Sequence, residues 1–412
     1  MIKSQNLKIF LFLFVGLVAF FAAVSISLTG VYAEDISNIY EVNSFSEFEE
    51  TIDLLFGGEN CEQNSDSQFA LKRLIVLGEV KSFYGAETVI TGYKNYTILS
   101  FSTEQETSFA YEMLCKDSSL NVIIDSKISA SSAGNLGLTS YSQSYENWGI
   151  DAIGADDMNE YLLENGSSEE LVVVVLDSGI NVSHPFFNNR LLIDSNGDIV
   201  GKSYYTTTNE SESDFDDDNG HGSHVSGIIT SLTPSNVKIL PIKILNDKGS
   251  GDFLYFVMAL ERVDEVYSEQ YNIACVNISA GGATNSYYSS QMDALFQSLS
   301  EKGILTVVAA GNDQLDSSGY MPANSEYVIT VSAVKQNGNT FEFDKSYSNF
   351  GSSIDISAPG TEIYSAYLDN YCVRMDGTSM AAPQVSGAVA LLCLNSKYWS
   401  GDTPIYTADQ IK

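Results

Sequence analysis

Apolar and polar positions alternate in three different ways along the chain. Residues 9–26 form an almost unbroken apolar run, IFLFLFVGLVAFFAAVSI. From residue 34 to about 127 the apolar stretches are short and interrupted, and they predict strands over Arg73–Gly78, Glu87–Thr91, Tyr96–Ser102 and Asn121–Asp125, with Gly92 as a turn. A helix is predicted after Thr103, whose hydroxyl can cap it, with Phe109, Met113 and Leu114 as its apolar stripe and an end near Lys116. Beyond residue 148 the runs become continuous: Leu171–Leu176, Val237–Leu245, Ile273–Ile278, Ile304–Ala310 and Val328–Val334. Strands apolar on both faces belong in a mainly parallel sheet sandwiched by helices, and helices are predicted between them over His221–Leu232, Phe253–Tyr267 and Gln291–Lys302. The stretch Ser129–Gln143 is rich in Ser and Gly without periodicity and reads as a linker. The fold class expected is therefore α/β, preceded by a small α+β domain.

The N-terminal run has a separate meaning. Lys3 and Lys8 precede it, no acid occurs before Glu34, and Val31-Tyr32-Ala33 ends it with residues suited to signal peptidase. That is the layout of a signal peptide over 1–33, cleaved after Ala33, and it predicts a secreted, extracellular protein. The rival is a retained anchor, since the run is long enough to span a bilayer, and only then would a membrane be a partner.

Composition narrows the picture further. A chain of 412 residues with 44% hydrophobic and 18% charged residues can bury a large core in two or three units, which excludes a disordered acidic protein. Its net charge of −33 excludes nucleic acid as a partner and suits an exported protein kept dispersed by self-repulsion. Five cysteines, at 61, 115, 275, 372 and 393, are odd in number and contain no CxxC, so they read as buried free thiols.

Candidate chemistry gathers at predicted strand ends, the carboxyl edge where an open α/β sheet places its site. Asp177 follows the first continuous strand in LDSG, His221 opens HGSHVSG, Asn312 closes AAGN, and Ser379 sits in GTSMAAP ahead of an Ala-rich helix. Each has a plain structural reading. Asp177 suits a turn, His221 and His224 could form a metal pair although no HExxH surrounds them, and Ser379 could be a helix cap. Together they are the parts of an acyl-transfer site: a hydroxyl, an imidazole to take its proton, a carboxylate to hold that imidazole, and amide donors for an oxyanion.

LDSG, HGSHVSG, VNISAGG (276–282), AAGN and GTSMAAP, in this order, resemble the subtilisin-type serine peptidases from about Trp148 onward. The resemblance implies Asp177, His221 and Ser379 as the catalytic triad, with Asn312 and the Ser379 backbone N–H as the oxyanion hole. It implies extended peptide or protein substrates held between Gly249-Ser250-Gly251 and Ser279-Ala280-Gly281. A primary pocket is implied at Ser279–Gly282 and Ala309, Ala310 and Gly311, with room for a large apolar residue, and a further subsite at Phe253. Residues 34–127 would be a propeptide acting as an intramolecular inhibitor, 128–147 a linker with the processing site within Ser129–Gln143, and 148–412 the catalytic domain.

Three features depart from the family pattern. Gln384 stands where a His commonly follows the motif's proline. The segment between 228 and 237 lacks the family's Asn-rich calcium loop, so no metal is expected at the site and no cofactor for the chemistry. Calcium is left to Asp214, Asp216, Asp217 and Asp218 or to Asp194-Ser-Asn196-Gly-Asp198, both of which read more simply as solvated acidic loops. Thr407–Lys412 looks like the start of the family's late helix, which gives the C-terminus a truncated look. The expectation is a secreted, self-maturing serine endopeptidase. The alternative is a catalytically silent peptide-binding surface protein; a lipase would instead carry GxSxG.

Overall fold

The computed structural model describes residues 38–42, 44–56, 71–91, 96–132, 134–140, 147–205, 214–283, 289–395, 399–400 and 403–404. The predicted signal segment, Cys61, Gly92 and the C-terminal 405–412 lie outside the described residues. The chain divides into two compact units, one of residues up to 48 with 72–124, the other of 49–71 with 125–412.

The first unit is built on strands β1 (Asn38–Glu41), β2 (Arg73–Leu77), β3 (Thr88–Thr91), β4 (Tyr96–Ser100) and β5 (Asn121–Ile124), in the order β1-β3-β4-β2-β5. Helix α1 (Phe45–Phe56) starts in it, and α2 (Glu104–Leu114) lies between β4 and β5. Thr103 begins α2 as the sequence predicts. Its hydroxyl accepts from the Glu106 N–H while the Glu106 carboxylate accepts from the Thr103 N–H, a reciprocal cap that satisfies two otherwise free donors.

In the second unit, β6 (Lys127–Ala130) runs into the stretch that carries no apolar period and β7 (Gly134–Ser140) lies wholly inside it. Helices α3 (Trp148–Ile153) and α4 (Ala155–Asn165) lead into β8 (Leu171–Asp177). Then come β9 (Lys202–Ser203), α5 (His221–Leu232), β10 (Val237–Lys243), β11 (Ser250–Asp252), α6 (Phe253–Arg262), β12 (Ile273–Ile278), β13 (Ala280–Ala283), α7 (Ser289–Glu301), β14 (Leu305–Ala309), β15 (Tyr320–Met321) and β16 (Ile329–Asn337). The chain continues with β17 (Thr340–Phe343), β18 (Ile356–Pro359), β19 (Ile363–Ala366), β20 (Tyr371–Asp376) and α8 (Thr378–Leu394). The helix predicted over Phe253–Tyr267 stays α-helical only to Arg262 and widens into a π turn at Val263–Tyr267.

The main sheet runs β17-β16-β14-β12-β8-β10-β9, with β18 also on β16, and its central neighbours β10-β8-β12-β14-β16 are all parallel. Every residue of β8 is buried, because Val173 and Val175 join the core shared with α5 and α8 while Val172, Val174 and Leu176 point to the opposite, equally covered face. This arrangement brings Asp177 to a strand end, and α5 and α8 pack into one core through Val225, Ile228 and Ile229 of α5 and Met380, Ala381 and Ala382 of α8. Among the described residues the cysteines are free, with Cys275 and Cys372 buried. No described helix is long and apolar enough to cross a membrane.

Candidate active site

Asp177 ends β8 fully buried, and its Oδ1 accepts hydrogen bonds from the Ser178 N–H at 2.7 Å and from His221 Nδ1 at 2.8 Å. His221 is the first residue of α5, whose N-terminus is held by a second carboxylate. Asp217, also buried, accepts at Oδ1 from the Ser178 hydroxyl (2.8 Å), the Asn219 N–H (3.0 Å) and the Gly220 N–H (2.8 Å), and at Oδ2 from the N–H and hydroxyl of Ser223 (2.8 and 2.7 Å). One side chain thus ties the residue after Asp177 to the turn that starts the helix. Gly220 enters that turn at φ 95°, and Gly222 packs so closely that a Cβ there would lie 2.2 Å from the Gly179 carbonyl oxygen. Burial alone would lower the His221 pKa, but the charge and hydrogen bond of Asp177, aided by the charge of Asp217, raise it above its ordinary 6.5.

Ser379 lies in the first turn of α8, where backbone N–H groups lack intrahelical partners. Its N–H donates to the Ser131 carbonyl oxygen at 3.2 Å, and the same oxygen accepts from Asn312 Nδ2. The Ser379 hydroxyl donates to the Ser279 carbonyl at 2.7 Å, and His221 Nε2, buried, has no hydrogen-bond partner among the described residues. The serine-to-imidazole hydrogen bond is therefore unmade in this structure. A rotation about the Ser379 Cα–Cβ bond is the motion that redirects the hydroxyl.

The segment whose carbonyl occupies this position is held as a strand. β6 lies between β11 and β13, antiparallel to both, pairing Ser250–Asp252 with Ser129–Lys127 on one side and Ala280–Gly281 with Ala130–Ser129 on the other. The Ala130 N–H donates to the Gly249 carbonyl at 2.9 Å and the Ser131 N–H to the Ser279 carbonyl at 3.1 Å. The missing side chain of Gly251 in β11 makes room, since a Cβ there would meet Ile128 Cγ1 at 3.3 Å, whereas one at Gly249, just before β11, would make only an ordinary contact with Ala130 Cβ at 3.5 Å. Further upstream the Asp125 carboxylate accepts from the Leu254 N–H at 3.0 Å, and Phe253, fully buried, meets the segment through its N–H on the Ser126 carbonyl at 2.8 Å. Ile128 is buried between the exposed Lys127 and Ser129, the alternation of a strand, and Ser131 beyond them is buried again where the strand ends at the site.

Small residues do surround the expected pocket, and a ring stands in it. Ala309 and Ala310 are fully buried behind Gly311, and β15 pairs with β13 so that Gly282 faces Met321 and Ala283 faces Tyr320. A Cβ at Gly281 would lie 2.7 Å from Tyr320 Cε1, and one at Gly311 would lie 2.9 Å from the same atom. The phenol ring therefore packs against both walls at once, where the sequence suggests open space for a large apolar residue. Nothing near Tyr320 in the sequence marks it, because its neighbours across the site come from β13 and the end of β14.

A family model described as the subtilase family matches residues 168–412. The chain belongs to the subtilase family. Its relatives include proteinase R of Parengyodontium album, 32% identical over 252 residues that cover 60% of this chain and 59% of that protein. Subtilisin DY of Bacillus licheniformis is 32% identical over 278 residues, covering 64% of this chain and 88% of that one. A solved structure of a cold-adapted subtilisin-like serine proteinase is 28% identical, covering 59% of this chain and 80% of that chain with a TM-score of 0.47. The α/β architecture with its mainly parallel sheet is the subtilase fold.

Other sequence candidates in this subtilase resolve into packing. His224 Nε2 faces the Ile363 and Val373 carbonyls at 3.0 and 3.1 Å, which ties α5 to the β19–β20 hairpin, and burial drives its pKa down to about 3. His184 Nε2 meets the Tyr371 carbonyl at 2.9 Å while its Nδ1 accepts from the Phe186 N–H, and burial lowers its pKa too. Both amide atoms of Gln384 are buried without partners among the described residues, and its Nε2 packs over Gly149, where a Cβ would come within 2.4 Å. The acidic stretch near residue 216 receives the Lys243 ammonium, which donates to Asp218 at 2.6 Å and to the Asp216 carbonyl at 2.7 Å. Asp194 spends one oxygen on the Asn196 and Asp198 N–H groups, a local turn that holds its carboxyl below the usual range.

Proposed function

We propose that the chain is a secreted serine endopeptidase that matures by cutting itself at the Ser131–Ser132 bond, with residues upstream of that bond acting as an intramolecular inhibitor. The observation that carries this reading is the Ser131 carbonyl oxygen, which receives both the Ser379 N–H and the Asn312 side-chain amide while its own strand is clamped between β11 and β13. An oxygen between two convergent donors at a helix N-terminus is where negative charge would be stabilised.

In this mechanism His221 Nε2 takes the proton from the Ser379 hydroxyl as the oxygen attacks the Ser131 carbonyl carbon. The carbonyl π electrons move onto the oxygen, against the two N–H donors. His221, now an imidazolium, is stabilised by Asp177 and by the charge of Asp217. Collapse breaks the C–N bond, and His221 returns its proton to the amine of Ser132. Water then adds to the acyl-enzyme by the same route, releasing the Ser131 carboxylate and the Ser379 hydroxyl. All groups used belong to the chain itself.

A second reading has its own observation: the Ser379 hydroxyl lies on the Ser279 carbonyl and not on His221. A silent peptide-binding subtilase would look the same. Expression of the full chain separates the two. The reading expects wild-type protein with Ser132 as a new N-terminus, Ser379→Ala accumulating uncut, and fluorophosphonate labelling at Ser379 of processed protein. An absence of labelling would favour the silent binder, and the same cut in Ser379→Ala would assign maturation to another peptidase.

A further inference from the structure

Tyr320 is the residue whose placement the general reading leaves unused. The oxyanion contacts identify Ser131 as the residue whose side chain enters the primary pocket, and Ser131 is only 4% exposed. That pocket has its walls at Gly281 and Gly311, and the Tyr320 ring edge lies against both, 2.7 and 2.9 Å from where their Cβ atoms would be. Its backbone is fixed as well, since β15 is strand-paired to β13 and the Asn324 N–H returns to the Tyr320 carbonyl at 3.0 Å. The paired backbone fixes where the ring starts from, and with the ring in this position a large side chain inserted beside it would demand overpacking. The Ser131 hydroxyl is itself buried without a hydrogen-bond partner among the described residues.

Resting on the endopeptidase reading above, we infer that Tyr320 restricts the residue on the acyl side of the cut to glycine, alanine or serine, so that this subtilase cleaves after small residues. The phenol hydroxyl is the group that favours serine within that set, through a hydrogen bond formed as the substrate settles. The chain's own bond after Ser131 is then the preferred type of site. The walls made by Gly281 and Gly311 serve to admit the tyrosine ring more than a substrate ring.

The test is a panel of peptides that differ only at the acyl-side residue, carrying Gly, Ala, Ser, Leu or Phe, turned over by processed enzyme and by its Tyr320→Ala and Tyr320→Phe variants. The expectation for wild type is a kcat/KM for Ser and Ala above that for Leu and Phe by roughly 10²-fold. Tyr320→Ala should reverse that order, and Tyr320→Phe should keep the small-residue preference while losing the advantage of Ser over Ala. Should the pocket variants fail to fold, Ser131→Phe in the otherwise native chain reads the same property, because self-cutting at that bond should stop. An enzyme that labels with fluorophosphonate yet prefers Phe or Leu, or a Tyr320→Ala profile equal to wild type, overturns the inference and leaves the endopeptidase reading intact. Failure of every peptide together with failure to label overturns both.

Discussion

The side-chain oxygen of Asn312 accepts two hydrogen bonds from Thr378, one from its backbone N–H at 2.9 Å and one from its hydroxyl at 3.0 Å. The Thr378 hydroxyl oxygen in turn accepts from the Gly311 N–H at 3.1 Å, which leaves its proton free to point at Asn312. With Oδ1 occupied by donors, the Asn312 amide can only present Nδ2 to the Ser131 carbonyl. The residue before the proposed nucleophile thus orients the residue that shares its oxyanion.

Asn312→Leu keeps the volume and removes the donor. Steady-state kinetics on processed enzyme should show kcat lower by about 10²- to 10³-fold with KM nearly unchanged. Thr378→Val should cost less, roughly tenfold, because the backbone N–H still holds the amide. A change confined to KM in Asn312→Leu would show that this side chain positions substrate without stabilising the transition state.

The raised pKa of His221 makes a signed prediction. The base must be neutral, so kcat/KM should fall as pH drops through a value above 6.5, the side to which Asp177 and Asp217 push this imidazole. Stability moves the other way for this group: its protonated form is favoured in the fold, so its contribution is full below the unfolded pKa of about 6.5 and is lost as pH rises through the folded value. Asp217→Asn should shift the acid limb of the pH profile downward. It should also destabilise the fold by about 1–3 kcal/mol, since an amide NH₂ would face the Ser223 donors. An unmoved limb would leave Asp217 as a structural brace only.

How far the sequence goes depends on whether the signal is local. β8, β12 and α5 are marked by continuous apolar runs and helical period, and the structure places them at Leu171–Asp177, Ile273–Ile278 and His221–Leu232. Motif order also put Asp177 and His221 on consecutive strand and helix ends, where they meet. What the pattern could not register is β6, four residues held almost wholly by main-chain bonds to strands more than 120 positions away. Main-chain pairing leaves little trace in residue type when one face is solvent. Tyr320 escaped for the related reason that a pocket is the sum of segments distant in the chain, and small residues on two walls do not reveal what a third segment inserts. Asp217 was visible only as one of several acids, because its five partners are mostly backbone N–H and hydroxyl groups.

His224 shares a helix face with His221 but should behave as a structural residue. In a Ser379→Ala background, which prevents self-digestion, His224→Ala should lower stability at pH 7.5 by roughly 2–4 kcal/mol through a lost core side chain and the loss of the one Nε2 donor that the Ile363 and Val373 carbonyls share. Its folded pKa of about 3 lies below the unfolded value, so the unfolded chain takes up the proton first on acidification. The stability that neutral His224 supplies is present above about pH 6.5 and declines as pH falls toward 3. The difference in melting temperature between the two proteins should accordingly shrink between those limits. A constant difference would mean that the ring is held by packing alone.

Ile128 gives a prediction about recognition away from the cut. Its side chain is 3% exposed and sits beside Gly251, three residues before Ser131, whereas Ser129 between them faces solvent. Burying an isoleucine is worth about 1.5–3 kcal/mol, which corresponds to about a 10- to 150-fold change in affinity. A synthetic peptide spanning residues 125–131 should therefore inhibit processed enzyme competitively, with Ile128→Ala weakening it by about tenfold or more. Ser129→Ala should change the inhibition constant by less than about threefold, because that side chain leaves the main-chain pairing untouched. Equal losses from both substitutions would show that the strand is held by its backbone alone, and Gly251 would then serve only its own close approach to the Ile244 carbonyl, where a Cβ would come within 2.2 Å.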